Sequence, residues 1–172
     1  MTEHQGRPEA PPGPEDPREL IARDPTPAEH DEIRALWKAH SIAEDGRDLE
    51  GLIATLTPDC VYEVVPTGHR WEGHAGARNF YRSLLGAFPD VDFRLRNIVI
   101  GPQGVCEEAR LTGTHAADWL EYPASGGRVA FDVVIFFPWD REARLFRGER
   151  VHFDPIAAGL AQGAPPAADP PP

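Results

Sequence analysis

The stretch from Val105 to Asp154 limits this chain's possible folds more than any other. It holds three runs rich in Val, Phe, Ile and Thr: Val105–His115, Arg128–Pro138 and Arg144–Asp154. A loop bearing Pro123 to Gly127 separates the first two, and a tight turn around Asp140 separates the last two. Strand formers between Gly, Pro, Ser and Asp breaks are the composition of an antiparallel meander. A sheet of this kind needs cover on at least one face, so the upstream segments are read as its covering layer.

Those segments supply helices. Thr26 is placed as an N-cap with Pro27 at the first helical position, and Glu29, Asp31 and Glu32 favour the positive end of the helix dipole. Ile33, Leu36, Trp37 and His40 then follow helical spacing and share one face. His40 on that face is either a core histidine or a pocket-lining one. A second helix is expected from Asp48, its N-cap, to Leu56, and Cys60–Val65 reads as a short strand. On it Cys60, Tyr62 and Val64 share one face, and Val61, Glu63 and Val65 the other. A third helix is predicted from about Ala75 to Ala87, with a buried stripe of Ala77, Phe80, Tyr81, Leu84 and Phe88. Phe88-Pro89 ends it, because proline disfavours helix at the residue before it. A strand over Val91–Ile100 then leads into the meander. The expected class is α+β, with one folded domain over residues 27–156.

Composition narrows the partners. Of 172 residues, 17 are Lys or Arg and 28 are Asp or Glu, giving a net charge of −11. With the basic residues scattered, nucleic acid and anionic membranes are poor partners. Cys60 and Cys106 lie far apart and outside any C-x-x-C pattern, so both are read as free thiols in a reducing compartment. No apolar run approaches the ~20 residues of a membrane span, and a cytoplasmic location is expected. Six prolines lie between Met1 and Thr26, and the segment from Ala157 to Pro172 is mostly Ala, Gly and Pro. Residues 1–26 and 157–172 are therefore expected to be disordered tails, although Arg18–Arg23 could form a docked helical turn.

Several short stretches, taken in order, resemble one family. They are Trp71-Glu72-Gly73-His74 with Phe80-Tyr81, Phe88-Pro89-Asp90-Val91, Gly113-Thr114-His115, Pro123-Ala124-Ser125-Gly126, and Glu149-Arg150 with Asp154. Together they are similar to the SnoaL-like polyketide cyclases and ester cyclases, within the nuclear-transport-factor-like superfamily. The resemblance covers roughly Glu29 to Asp154. It implies a cone fold, a strongly bent and mostly antiparallel sheet wrapped round N-terminal helices. It also implies an intramolecular aldol ring closure with an aspartate as general acid/base and a histidine that polarises the substrate. His115 matches the histidine after Gly-Thr, and Asp132 is the best match to the aspartate. His69 and Trp71 would flank the cavity mouth. The family's glycine shortly after the histidine is absent here, and Trp119 and Tyr122 add bulk at the mouth.

The residues themselves allow that chemistry. An aldol closure needs a base for a proton alpha to a carbonyl and donors for the enolate oxygen. Asp132 sits mid-strand with Ala130 and Val134 on its face, where burial would raise its pKa. The alternative is an ion pair with Arg110 or Arg150. An inward Asp132 would bring Arg150 or His152 to the same face and turn Glu149 outward. The expected substrate-binding set is Trp37, His40, Tyr62, His69, Trp71, Tyr81, Trp119, Arg150 and His152, around catalytic Asp132 and His115. No metal-ligand spacing, phosphate loop or dinucleotide fingerprint is visible, and chemistry without a cofactor is expected. A small hydrophobic, polyketide-like substrate is the expected partner. A homodimer is expected too, covering the face of Phe131, Val133, Ile135 and Phe137. The other readings are an epoxide hydrolase, dehydratase or isomerase on the same fold, or a non-catalytic binding protein. A ketosteroid-type isomerase would want an aspartate where Val65 stands.

Overall fold

A computed structural model describes residues 17–161. The tail expectations for residues 1–16 and 162–172 lie outside the described residues. Four helices and six strands follow in the order α1 (Pro17–Ile21), α2 (Pro27–Asp45), α3 (Leu49–Ile53), β1 (Leu56–Val64), β2 (His69–Glu72), α4 (Gly73–Ala87), β3 (Asp92–Gly101), β4 (Gly104–Thr114), β5 (Arg128–Asp140) and β6 (Leu145–Phe153). The helix starts use the caps that the sequence offers. Thr26 Oγ1 accepts from the Glu29 amide at 3.1 Å, and Asp48 Oδ1 from the Gly51 amide at 3.0 Å. Phe88, at φ −126° and ψ 74°, stops α4 ahead of Pro89.

The strands form a single curled, open sheet in the order β2-β1-β6-β5-β4-β3. The meander β3 to β6 is antiparallel, whereas β1 joins β6 in parallel. Helices α2 and α4 fill the inner side. α2 buries Ile33, His40 and Ala43, and α4 buries Ala77, Phe80, Tyr81, Leu84 and Ala87. The chain also packs past residue 156, since Ala158 and Leu160 are buried in the core. At the other end Leu20 of α1 is tied down by Gln103 Nε2, which donates to its carbonyl at 2.6 Å.

Alternation on β5 decides the inward face. Val129, Phe131, Val133, Ile135, Phe137 and Trp139 are buried, while Asp132 and Val134 between them are exposed. This corrects two expectations. Asp132 points outward, not into the cavity, and the apolar face assigned to a dimer contact is the inner face, already covered by helices. Burying six large apolar side chains outweighs burying one carboxylate and a few small groups.

On β6 the phase changes partway. Phe136 pairs with Arg150 and Trp139 with Phe146, so three steps along β5 match four along β6. The extra residue is a β-bulge, and Gly148 and Glu149 are consequently both buried. With Phe146 inward and no bulge, simple alternation would carry Gly148 and Arg150 inward. With it, Glu149, Val151 and Phe153 point in, while Arg150 and His152 point out. Gly148 has φ 107°, and a Cβ there would lie 2.0 Å from the Val61 carbonyl oxygen. Gly148→Ala should therefore destabilise the fold by roughly 3 kcal/mol or more, lowering the melting temperature by about 6–12 °C. Calorimetry showing unchanged melting would remove the bulge from this role.

Candidate active site

The bulge turns Glu149 into the middle of the cone, where it is 3% exposed. Two groups meet its Oε1. The Tyr81 hydroxyl donates at 2.5 Å, and His40 Nε2 lies 3.0 Å away. His40 Nε2 is also 2.9 Å from the Tyr81 oxygen, and the Tyr62 hydroxyl donates to Tyr81 at 3.2 Å. Behind the ring, Thr55 Oγ1 donates to the Leu52 carbonyl at 2.6 Å, which commits its hydrogen. It must then accept from His40 Nδ1, 2.7 Å away. Nδ1 thus keeps its proton, and Nε2 is the nitrogen that can exchange one with Glu149. Phe137 and Phe146 pack edge-on against the imidazole and fix its plane.

Each partner comes from a different element. His40 sits on the last turns of α2, Tyr81 in α4, Tyr62 on β1 and Glu149 on β6. Burial, reinforced by the Glu149 charge, holds both tyrosine hydroxyls well above their ordinary range. They are therefore hydrogen-bond donors at neutral pH.

Two more carboxyls face inward. Glu44 on α2 lies beside Glu149, and its pKa is raised well above the usual range by burial and by the negative fields of Glu149 and Glu107. Glu107 on β4 accepts from Trp37 Nε1 at 2.8 Å. Burial pushes its carboxyl up to about 7, against the lowering effect of the Trp37 bond and with a further push from Glu149. In both, burial favours the protonated form.

Glu149 and Glu44 form the polar part of a narrow cavity of about 20 Å³. Its other walls are apolar, half of them aromatic, among them Phe80, Trp119, Phe131 and Phe153. Carboxyls against apolar walls suit a small apolar ligand whose protons are to be moved.

The expected residues divide between this site and other places. His40, Tyr62 and Tyr81 meet in one network, Trp37 holds Glu107, and Trp119 lines the cavity. His115 is fully buried but stacks on Phe88 with ring centres 5.0 Å apart, outside the cavity wall, and burial lowers its pKa. His69 and Trp71 stack on each other on β2 at the sheet edge. Asp132 lies on the outer face, half-exposed, 3.0 Å from Arg96 Nη1 and 3.2 Å from Arg110 Nη1. The ion-pair alternative, with Arg110, is the arrangement seen. Arg150 pairs with Glu63 on the same outer face, and His152 is exposed there. Glu149, expected to face outward, faces inward because of the bulge, and Glu107, Glu44 and Thr55 were not singled out from sequence. The signal for Glu107 was present, since it shares the inward phase of Val105, Ala109 and Leu111. Among the described residues no cluster of His, Cys, Asp and Glu is arranged to hold a metal ion. No described helix is long and apolar enough to cross a membrane.

Residues 33–147 match the family model described as a SnoaL-like domain. A solved structure from Jannaschia sp. CCS1, assigned as a SnoaL-like polyketide cyclase, is 25% identical, with a TM-score of 0.66 over 84% of this chain and 100% of that one. One from Xanthomonas campestris, assigned as a polyketide cyclase, is 19% identical, with a TM-score of 0.61 over 78% of this chain and 98% of its own. AclR of Streptomyces galilaeus, assigned as a hydroxylase, is 21% identical, with a TM-score of 0.59 over 73% of this chain and 91% of its own. No curated protein matches the chain.

The Glu107 carboxyl sets a pH dependence. Its folded pKa of about 7 lies above the ordinary value of 4.5, so the folded state holds the extra proton in between. Stability is therefore full below the lower value, falls as pH rises toward the upper one, and levels off above it. Glu107→Gln keeps an acceptor for Trp37 and should exceed wild-type stability by up to about 3 kcal/mol at pH 8, but not at pH 4. Denaturant titrations at the two pH values check this.

Proposed function

The chain belongs to the SnoaL-like domain family, and from that premise we propose that it is a cyclase-type enzyme using acid/base chemistry on a polyketide-like carbonyl compound. The observation that carries this reading is Glu149, a buried carboxylate on the cavity wall backed by His40 and Tyr81. In this reading Glu149, not Asp132, is the base. It removes a proton alpha to a substrate carbonyl, and the C–H electron pair becomes the enolate. Glu44, held protonated by burial, donates to the enolate oxygen. The enolate carbon then attacks a second carbonyl of the same molecule, forming the C–C bond. The resulting alkoxide takes the proton back from Glu149, so the ring closes without net proton change. Tyr81 donates to Glu149, and His40 Nε2 lies beside it to take up or return a proton.

The test follows proton abstraction directly, using deuterium uptake at the alpha carbon of 2-tetralone in D2O. General-base assistance contributes ~10²–10⁴-fold, so Glu149→Gln should slow enzyme-dependent exchange by about that factor. Asp132→Asn should leave it within about threefold, and should cost at most about 1 kcal/mol of stability, since it breaks only a half-exposed ion pair. Normal exchange in Glu149→Gln, or its loss in Asp132→Asn, would overturn the assignment. Catalysed exchange also separates an enzyme from a ligand carrier, which would bind 2-tetralone without exchanging it.

A further inference from the structure

Trp119 carries an unspent donor. It is 3% exposed and lines the cavity, yet its Nε1 has no hydrogen-bond partner in the protein. A buried N–H without an acceptor costs about 1–3 kcal/mol, so such groups are normally paired. The other tryptophan in contact with the interior polar groups, Trp37, obeys that rule through Glu107.

The indole is also held rigidly. It stacks on Phe153 with ring centres 5.7 Å apart and meets Phe88 edge-on at 5.4 Å. Its backbone exchanges two hydrogen bonds with Tyr122, at 3.0 and 2.9 Å, around Leu120 at φ 55°. A leucine in the left-handed region is costly, and a turn that enforces it fixes the side chains on either side. The loop is tied to the helix layer by the Ala116 amide, which donates to the Ala87 carbonyl at 2.8 Å. Its base is closed by paired bonds between His115 and Gly126–Gly127.

Position then gives the donor a use. Phe153, on which the indole stacks, lies four residues beyond Glu149 on the inward face of β6, about 13 Å along the strand. The cavity therefore has carboxyls toward one end and, toward the other, Trp119, whose side chain alone among the lining residues carries an N–H. The remaining lining side chains are apolar. We infer that Trp119 is a substrate-positioning residue whose Nε1–H binds a carbonyl or phenolate oxygen at the end of the ligand remote from the reacting carbon. This rests on the cavity being the substrate site, and it narrows the substrate to a compound with an acceptor oxygen at each end. Hydrocarbon or amine termini at the Trp119 end would leave the indole N–H unpaired and be selected against.

The test compares acetophenone with α-methylstyrene, which replaces the carbonyl oxygen by CH2 at nearly constant shape. Dissociation constants are taken from NMR titrations of wild type and of Trp119→Phe, which keeps the aromatic stack and removes the N–H. Wild type should favour the ketone by about tenfold, the value of one hydrogen bond to an otherwise unpaired donor. The preference should fall to about onefold in Trp119→Phe, with α-methylstyrene binding unchanged. The wild-type ratio is informative even where the variant folds poorly. The wild-type indole Nε1–H resonance that the variant lacks should also shift downfield with ketone and not with alkene. Equal binding of both ligands to wild type, or a ketone preference retained in Trp119→Phe, overturns the role of Trp119 while leaving the Glu149 exchange result standing. Failure of either ligand to enter the cavity overturns it too, and the site reading with it.

Discussion

One extra residue in β6 determines which carboxylate the cone encloses. The sheet must twist and curl to wrap its helices, and the bulge at Gly148 supplies local bending while reversing the phase of the strand. Downstream of it, Glu149, Val151 and Phe153 become interior, and Arg150 and His152 become exterior. Only glycine fits at the crossing, because the neighbouring Val61 backbone occupies the space of a Cβ. The parallel β1–β6 pairing that closes in at this point also brings Tyr62 opposite Glu149. Cavity, acid/base group and sheet closure thus share a single backbone feature.

Putting a carboxylate there is expensive unless every neighbour is a donor. Tyr81 and, through it, Tyr62 supply donors, and Thr55, by accepting at Nδ1, leaves His40 Nε2 facing Glu149. The same low-dielectric surroundings that make the network costly raise the pKa of Glu44 and Glu107. Stability given up in the interior is then balanced by the aromatic and aliphatic packing around it.

The outer face follows a different logic. Asp132 bridges Arg96 and Arg110 across three strands, and Arg150 meets Glu63 across two. These exposed pairs contribute little energy.

Much of the architecture was legible because it depends on local periodicity. The N-caps at Thr26 and Asp48, the buried stripe of α4, the proline stop after Phe88 and the meander all rest on residues within a few positions of one another. The burial of His40, Tyr62 and Tyr81 was legible for the same reason, as they occupy apolar phases of their elements. The face of β5 was present in the sequence too, as six large apolar residues alternating with smaller and polar ones, and a resemblance drew the reading toward Asp132 instead. The inward turn of Glu149 was not legible. A single-residue bulge leaves composition and spacing almost unchanged while reversing every side chain beyond it, and only packing against Val61 fixes where it falls. The sequence by itself therefore determined the elements and their apolar faces, through short-range sterics and burial. The tertiary structure alone decided the parallel closure of β1 on β6, the phase of β6 and hence the carboxylate at the centre, because these depend on contacts between residues nearly ninety positions apart.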